Sequence, residues 1–352
     1  MKQEQRTRDP VAARGRTADP NAVPSAPRRV PDPSDATLYE AVPGTAVLTV
    51  GTTEPSEHLF RRLLGAYLAG APEFVIRERG QITPSTREVV RTFCRRTRQP
   101  EIVSDEGNLL RLHDLAYESP VSLDQRIQRM GRLVVELHRE AVESWSNLPL
   151  GDDGYWERRD DEVDREAWYI QRIAALRLNA DRTSSDLLGP WTVARSLERI
   201  ADHAAVLGVT GQRLVSLPQG AGPTHPLRQF HAQAMAHLEG ALAATDGDQA
   251  NELLDTGEAL MTSGHSLADR LLSGVGAVPM PPATAATLAR ILESIGRTIA
   301  YAQDIAQVVL DRSVPVALPP SAGPSARAGR AGLRSEPSGP SGPGRFLPPA
   351  AA

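Results

Sequence analysis

The sequence is poor in several residues that specialised chemistry depends on. It has one cysteine, Cys94, in 352 residues, which excludes an intramolecular disulfide and a cysteine-based zinc site. Aromatic residues make up 4%, too few to expect the stacking platforms of single-strand nucleic-acid binders. No apolar run approaches the ~20 residues that span a bilayer. The first residues lack the apolar core of a signal peptide, so the cytoplasm is the expected location. Lysine is nearly missing: Lys2 stands alone and every other basic residue is arginine, a bias uniform along the chain. There is no phosphate loop, because GAGP at 220–223 runs into a proline-containing break rather than GK[ST]. No Ser/His/Asp arrangement can be read, and the long helices lack the Glu-x-x-His of di-iron bundles.

Large apolar side chains are also scarce at both ends. Residues 1–40 and 315–352, the latter ending SGPSGPGRFLPPAAA, cannot bury enough surface to offset their ordering entropy, and both are expected to be disordered tails. About 274 residues lie between them, enough for a sizeable core. The net charge is −4. The two tails carry +1 and +3, so the middle is near −8. Such a body does not attract a phosphate backbone without a local basic patch.

The middle divides into two kinds of pattern. Residues 45–117 alternate short apolar runs (AVLTVG, EFVIRE, EIVSDEG, LLRLHDL) with helical spacings over 57–69 and 83–97, where Thr83 is the expected N-cap and Pro84 sits at N1. The order β-α-β-α-β-β predicts a small α+β domain. From residue 122 onward the spacing is helical. Ser122-Leu-Asp-Gln125 is a capping-box signature, and Leu123, Ile127, Met130, Val134, Leu137 and Ala141 form one stripe. Further helices are expected near 153–179, 184–214, 227–245, 247–273 and 283–312. ARSLERIADHAAV (194–206) and ARILESIGRTIAY (289–301) align at a shift of 95 residues, with Ala194/Ala289, Arg195/Arg290, Leu197/Leu292, Glu198/Glu293 and Ile200/Ile295 identical. The six helices therefore read as two copies of a three-helix unit, 122–215 and 225–312. The fold class is mainly α, with two tandem three-helix bundles behind a small α+β domain and a tail at each end.

Two acidic pairs are the sharpest chemical feature. Asp160 and Asp164, and Glu198 and Asp202, each stand four residues apart, on one helix face and one turn apart, where like charges repel by a few tenths of a kcal/mol. A cation held by carboxylate oxygens would offset that, with His203 as an added nitrogen about 100° round the helix. Equally, these are solvated helix faces neutralised by Arg159, Arg165, Arg195 or Arg199. His138 reads as a packed histidine and Cys94 as buried core. Arg91, Arg95, Arg96 and Arg98 read as a solvated helix end, with an acidic partner or phosphate as the alternative.

ERRDDEVDREAWYIQRIA (157–174), ARSLERIADHA (194–204) and ILESIGRTIAYAQDIAQ (291–307) resemble the repeated E/D-x-x-x-D motifs of the PhoU family of phosphate-uptake regulators. LFRRLLGAYLAGAPEFVIRERGQITPSTREVVR (59–91) and RLHDLAYESPVSLDQRIQRM (111–130) resemble the linker domain and first helix of its archaeal-type subgroup. The resemblance covers about residues 45–312 and implies regulation rather than catalysis. Such proteins restrain phosphate import through the ATPase of the phosphate ABC transporter, reaching the membrane only through it, and report phosphate status to a sensor histidine kinase. Some members hold iron or zinc clusters at the acidic motifs and others manganese or magnesium. The implied ligands are Asp160, Asp164, Glu198 and Asp202. In the second repeat Glu293 is followed four residues on by Arg297, which cannot ligate a cation. With no clear partner set among Asp248, Glu252, Asp255 and Glu258, that second site is expected to be lost or replaced by a salt bridge. Residues 1–40 have no alternating strands for the subgroup's AbrB-like DNA-binding hairpin, so direct DNA binding is not inherited. A homodimer is expected from the bundle type. The 45–117 domain reads equally as a sensor, a dimerisation element or a spacer. The alternatives are a transcription regulator of phosphate-responsive genes and, behind it, a carboxylate-bridged metalloenzyme.

Overall fold

In a computed structural model of the chain, the described residues are 44–51, 54–114, 122–146, 154–180, 187–215, 224–273 and 281–314. The expected tails, 1–40 and 315–352, lie outside them, and with the first tail lies the segment in which no swapped hairpin was expected.

The first unit is a four-stranded sheet with two helices on one face. Its elements are β1 (Ala46–Val50), α1 (Ser56–Leu68), β2 (Glu73–Glu78), α2 (Pro84–Arg96), β3 (Pro100–Glu106) and β4 (Leu109–Asp114). The strand order is β1-β2-β4-β3, with β1 and β2 parallel and the other pairs antiparallel. Alternation places Leu48, Val50, Phe74, Ile76, Leu110 and Leu112 on one face, where they meet Leu59, Leu63 and Tyr67 of α1 and Val90 and Phe93 of α2. The Thr83 hydroxyl accepts the Thr86 amide at 3.2 Å, with Pro84 at the first helical position. Gly70 turns the chain out of α1 at φ 91°, a backbone that disfavours side chains, and a Cβ there would press on Leu176.

Six helices follow: α3 (Leu123–Glu143), α4 (Tyr155–Ala180), α5 (Leu188–Val215), α6 (Thr224–Ala243), α7 (Gly247–Leu272) and α8 (Pro282–Ser313). The Ser122 hydroxyl caps α3 by accepting the Gln125 amide at 3.3 Å. The two repeated segments lie on α5 and α8, the central helices. Helix α5 packs on α3, α4 and α8, and α8 packs on α5, α6 and α7. Leu197, Ile200, Leu292 and Ile295 are buried in a single apolar cluster that runs through both three-helix units. Among the described residues no helix is long and apolar enough to cross a membrane.

The helices α3, α4 and α5 approach closely through glycine. A Cβ on Gly208 would enter the Trp156 indole, and one on Gly211 the Trp145 indole. Trp145 also donates its indole N–H to the Leu207 carbonyl at 3.2 Å. Across the join between the units, His138 of α3 and His231 of α6 are both buried. His138 Nε2 lies 3.0 Å from the Ile200 carbonyl and Nδ1 lies 3.1 Å from His231 Nε2. Because the carbonyl only accepts, Nε2 of His138 carries hydrogen and Nδ1 accepts from His231. His138 is thus a packed histidine, as read from sequence. Burial, with His231 adding, pushes it down to about 3, and burial with Arg228 pushes His231 down to about 4.

Two predictions follow from this packing. Gly208→Ala and Gly211→Ala each destabilise by about 1–3 kcal/mol through overpacking against a rigid indole, in spite of alanine's ~1 kcal/mol better helix propensity; chemical denaturation reads this directly. The unfolded chain protonates its histidines near pH 6.5 while the native pair stays neutral. The pair's contribution is therefore complete above that pH and shrinks as pH falls towards 4, by about 2 kcal/mol per histidine at pH 5. Urea unfolding between pH 7.5 and 5 will show a shallower acid slope in His138→Gln than in the natural chain, and equal slopes would contradict it.

Candidate functional site: an acidic seam between two helices

Helix α4 runs with an apolar side towards the bundle (Val163, Ala167, Ile170, Ala174) and an acidic side that carries Asp160, Asp161 and Asp164. Helix α5 brings Glu198 and Asp202 to the same seam. The four carboxylates singled out by spacing are thus assembled across two helices, close enough that the charges of Glu198 and Asp202 act on Asp160 and Asp164. Asp160 is raised to about 7, first by burial and then by Asp202 and Glu198. Asp164 is raised to about 8 by burial, Asp160 and Glu198, against the opposing pull of Arg96. Burial also raises Glu198, with Asp202 adding, and burial raises Asp202 against Arg199. Asp160 Oδ1 is buried and has no hydrogen-bond partner.

The seam does not stand as a bare cage. Arg96, at the end of α2, reaches into it, ion-paired to Asp161 and lying 3.1 Å from Asp164 Oδ2. Its guanidinium is held between the rings of Phe60 and Trp168, at 5.6 and 5.5 Å from their centroids. From α5 itself, Arg199 stands 3.5 Å from Glu198 and 3.9 Å from Asp202. Among the described residues no group of three or more His, Cys, Asp or Glu side chains is placed to hold a single metal ion. In its chemistry, though not in a converged geometry, the donor set fits a divalent cation: hard carboxylate oxygens, burial and then mutual repulsion that raise the proton affinity of Asp160 and Asp164, and one orphaned oxygen on Asp160.

The other sequence candidates fall elsewhere. His203 turns from the seam towards α8, stacks on Tyr301 with ring centroids 6.0 Å apart, and has a buried Nδ1 without a partner; burial and then Arg297 lower its proton affinity, against Glu293. It is not a member of the carboxylate set. In the second unit Glu293 and Arg297 are both exposed. No ion pair joins them among the described residues, so of the two expected outcomes, a lost site or a salt bridge in its place, a Glu293–Arg297 salt bridge is not the one seen. Asp248, Glu252, Asp255 and Glu258 are strung along the exposed side of α7. Cys94 is partly buried, and burial pushes its thiol up to about 11, the opposite of an activated nucleophile.

The arginine cluster corrects its first reading. Arg95 does lie on the surface with Glu88, but Arg96 and Arg98 turn inward. Arg98 meets Glu166 at 2.7 Å, and Arg126 of α3 takes the other oxygen of the same carboxylate at 3.0 Å. Deeper still, Arg172 of α4 is 1% exposed. It donates to the carbonyls of Tyr67 and Ala71 and to the Asp114 carboxylate, and lies 4.5 Å from the centre of the Tyr67 ring. Spacing arguments missed these residues. Their signal was AWYIQRIAA at 167–175, a run with no continuous polar stripe, which marks a helix covered on two sides.

Compared with known protein families, residues 127–207 match the PhoU domain. No curated protein matches the chain. The matched segment contains most of α3, all of α4 and most of α5, and with them all four seam carboxylates.

Neutralising one seam carboxylate without changing its shape should stabilise the protein. The native seam holds protons that the unfolded chain releases near pH 4, so the seam costs stability as pH rises from there towards 8. In metal-free buffer at pH 8, Asp160→Asn will raise stability by on the order of 1 kcal/mol, after discounting for its partial exposure, or about 2–4 °C in melting temperature. At pH 5 the gain will be smaller. A variant less stable than the natural chain at pH 8 would mean that Asp160 is a structural ion-pair partner instead.

Proposed function

Residues 127–207 being a PhoU domain, a domain of phosphate-regulation proteins, we propose that the chain regulates phosphate uptake and phosphate-responsive signalling. It does so by protein–protein contact, with the ATPase of a phosphate ABC transporter or with a sensor histidine kinase. The observation that carries this reading is the match over α3–α5 together with the acidic seam built inside that segment. Phosphate supply is transmitted by a ligand or partner that binds two states of the protein differently, since equal binding shifts nothing. The protein acts as an adaptor rather than a catalyst, and in this reading it works in the cytoplasm as a homodimer.

The metal assignment belongs to the same proposal. Asp160, Asp164, Glu198 and Asp202 would hold a divalent or iron-type cation, which supplies positive charge where the apo seam relies on protons and on Arg96. Binding would release those protons.

Affinity purification of the tagged chain from phosphate-replete and phosphate-starved cells, followed by mass spectrometry, tests the regulatory reading. Recovery of a phosphate-transporter ATPase or a histidine kinase, in amounts that change with phosphate, is the expected result. Recovery of neither under both conditions would end it.

A further inference from the structure

Where the end of α1, the last turns of α4 and the first turn of α5 meet, the surface carries a groove of about 310 Å³. Its walls include Leu68 of α1, Ala174 and Leu178 of α4, and Leu187, Leu188 and Trp191 at the start of α5. Every lining side chain is apolar, and the one polar side-chain atom among them is already used: the Trp191 indole donates its N–H to Gln171 Oε1 at 3.0 Å. Gln171 is buried, so the ring is held in place as a fixed wall. Yet Trp191 is 41% exposed and Leu188 52%. Among the described residues no other phenylalanine, tyrosine or tryptophan is exposed. An anchored indole left open beside leucines is the kind of patch that another apolar surface covers.

The connection between α4 and α5 does not supply that cover, because residues 181–186 read DRTSSD and contain no apolar side chain. The end of α8 does lead to the groove. Its last turns lie against the first turn of α5, where a Cβ on Gly189 would meet Val308 and Arg312, each at 3.2 Å. Gly189 is the neighbour in sequence of Leu188, which lines the groove. The chain leaves α8 at Val314 with φ −85° and ψ 113°, the extended backbone favoured ahead of a proline. It continues as Pro315-Val-Ala-Leu-Pro-Pro320, and the first charged residue after Arg312 is Arg327. Prolines at 315, 319 and 320 favour the polyproline II conformation, in which six residues reach about 19 Å. A helix is about 10–12 Å across. The segment is therefore long enough to pass round the start of α5 from Gly189 to Trp191.

We infer that residues Pro315–Pro320 of this chain dock in the groove beside Trp191, as a strap from the end of α8. Aromatic-lined grooves take proline-rich segments in this way, because the polyproline II backbone is already ordered and little entropy is lost on binding. Leu318 fills the space between Ala174, Leu178 and Leu188, and the prolines lie against the indole face. A second apolar stretch, Phe346-Leu-Pro-Pro349, begins 26 residues beyond Pro320; bringing it to the groove closes a longer loop at a greater entropic cost. The strap ties the second three-helix unit to the first and to α1 of the sheet unit at one point. It also keeps the groove from any other apolar segment for as long as it stays seated.

Acrylamide quenching of the full chain tests the strap, with the Trp191 contribution taken as the difference from a Trp191→Phe variant. Trp191 is expected to be shielded in the natural chain. Leu318→Asp should raise its quenching severalfold and shift its emission to the red, while Leu347→Asp leaves both unchanged. A tethered segment acts at an effective concentration of about a millimolar, so an added PVALPP peptide should bind Leu318→Asp at least about tenfold more tightly than it binds the natural chain. Trp191 equally open to quencher in the natural chain and in Leu318→Asp overturns the proposal. So does a response to Leu347→Asp alone, which would put the later stretch in the groove. Equal binding of the peptide by both chains overturns it too, since the groove would then be open to a partner, as does shielding that falls on dilution, since a second copy would then be the cover. Melting curves confirm that each variant is folded.

Discussion

A guanidinium buried as completely as that of Arg172 must have its donors met on the spot, because an unpaired buried charge costs several kcal/mol. Its partners here are two carbonyls at the end of α1 and the carboxylate that ends β4. None of the three is local to α4 in sequence. The small sheet unit is therefore bound to the bundle by an electrostatic requirement of one α4 side chain. Glu166 repeats the device with reversed sign, taking Arg98 from the sheet unit and Arg126 from α3. Helix α4 is thus shared: one side completes the three-helix core, and the other is neutralised by the unit in front of it.

The same sharing shapes the acidic seam. Asp160 and Asp164 are brought against Glu198 and Asp202 because α4 and α5 both turn apolar faces to one core. Arg96 reaches the seam because α2 lies over α4, held by Phe60 and Trp168. The seam's charge is then balanced from two sources with different range: a guanidinium fixed by tertiary packing, and protons that exchange with solvent. A mobile cation competes with the second source and not with the first. The buried histidine pair joining α3 to α6 titrates in the opposite sense, so acid relaxes the seam while it strains the join.

Much of this was legible in the sequence. Among the described residues, all four strands and all eight helices follow from apolar period and caps, with ends displaced by a few residues, because each element is amphipathic against a nearby partner. The Asp160/Asp164 and Glu198/Asp202 pairs were legible for the same reason, since a spacing of four fixes a helix face. Arg96 and Arg98 were not, because their partners lie 68 residues away in the chain and a basic helix end looks the same whether it meets water or a carboxylate. Arg172 and Glu166 were hidden by the usual link between charge and exposure.

The two three-helix units began as equivalents on paper, and their surroundings have made them unequal. Ala194 is buried while its counterpart Ala289 is exposed. Glu198 sits in the covered seam, whereas Glu293 faces open space on a unit whose α7 has no sheet laid over it. In terms of tolerance to substitution, the cover constrains only one copy of a repeated surface. Arg297, which holds the position in the repeat that Asp202 holds in the first unit, stands exposed and breaks no carboxylate pair on the uncovered copy. On the covered copy the same exchange would set a second guanidinium beside Arg199 and remove a carboxylate from the seam. The copy with less packed against it is the one whose charged positions can be exchanged at little cost in stability.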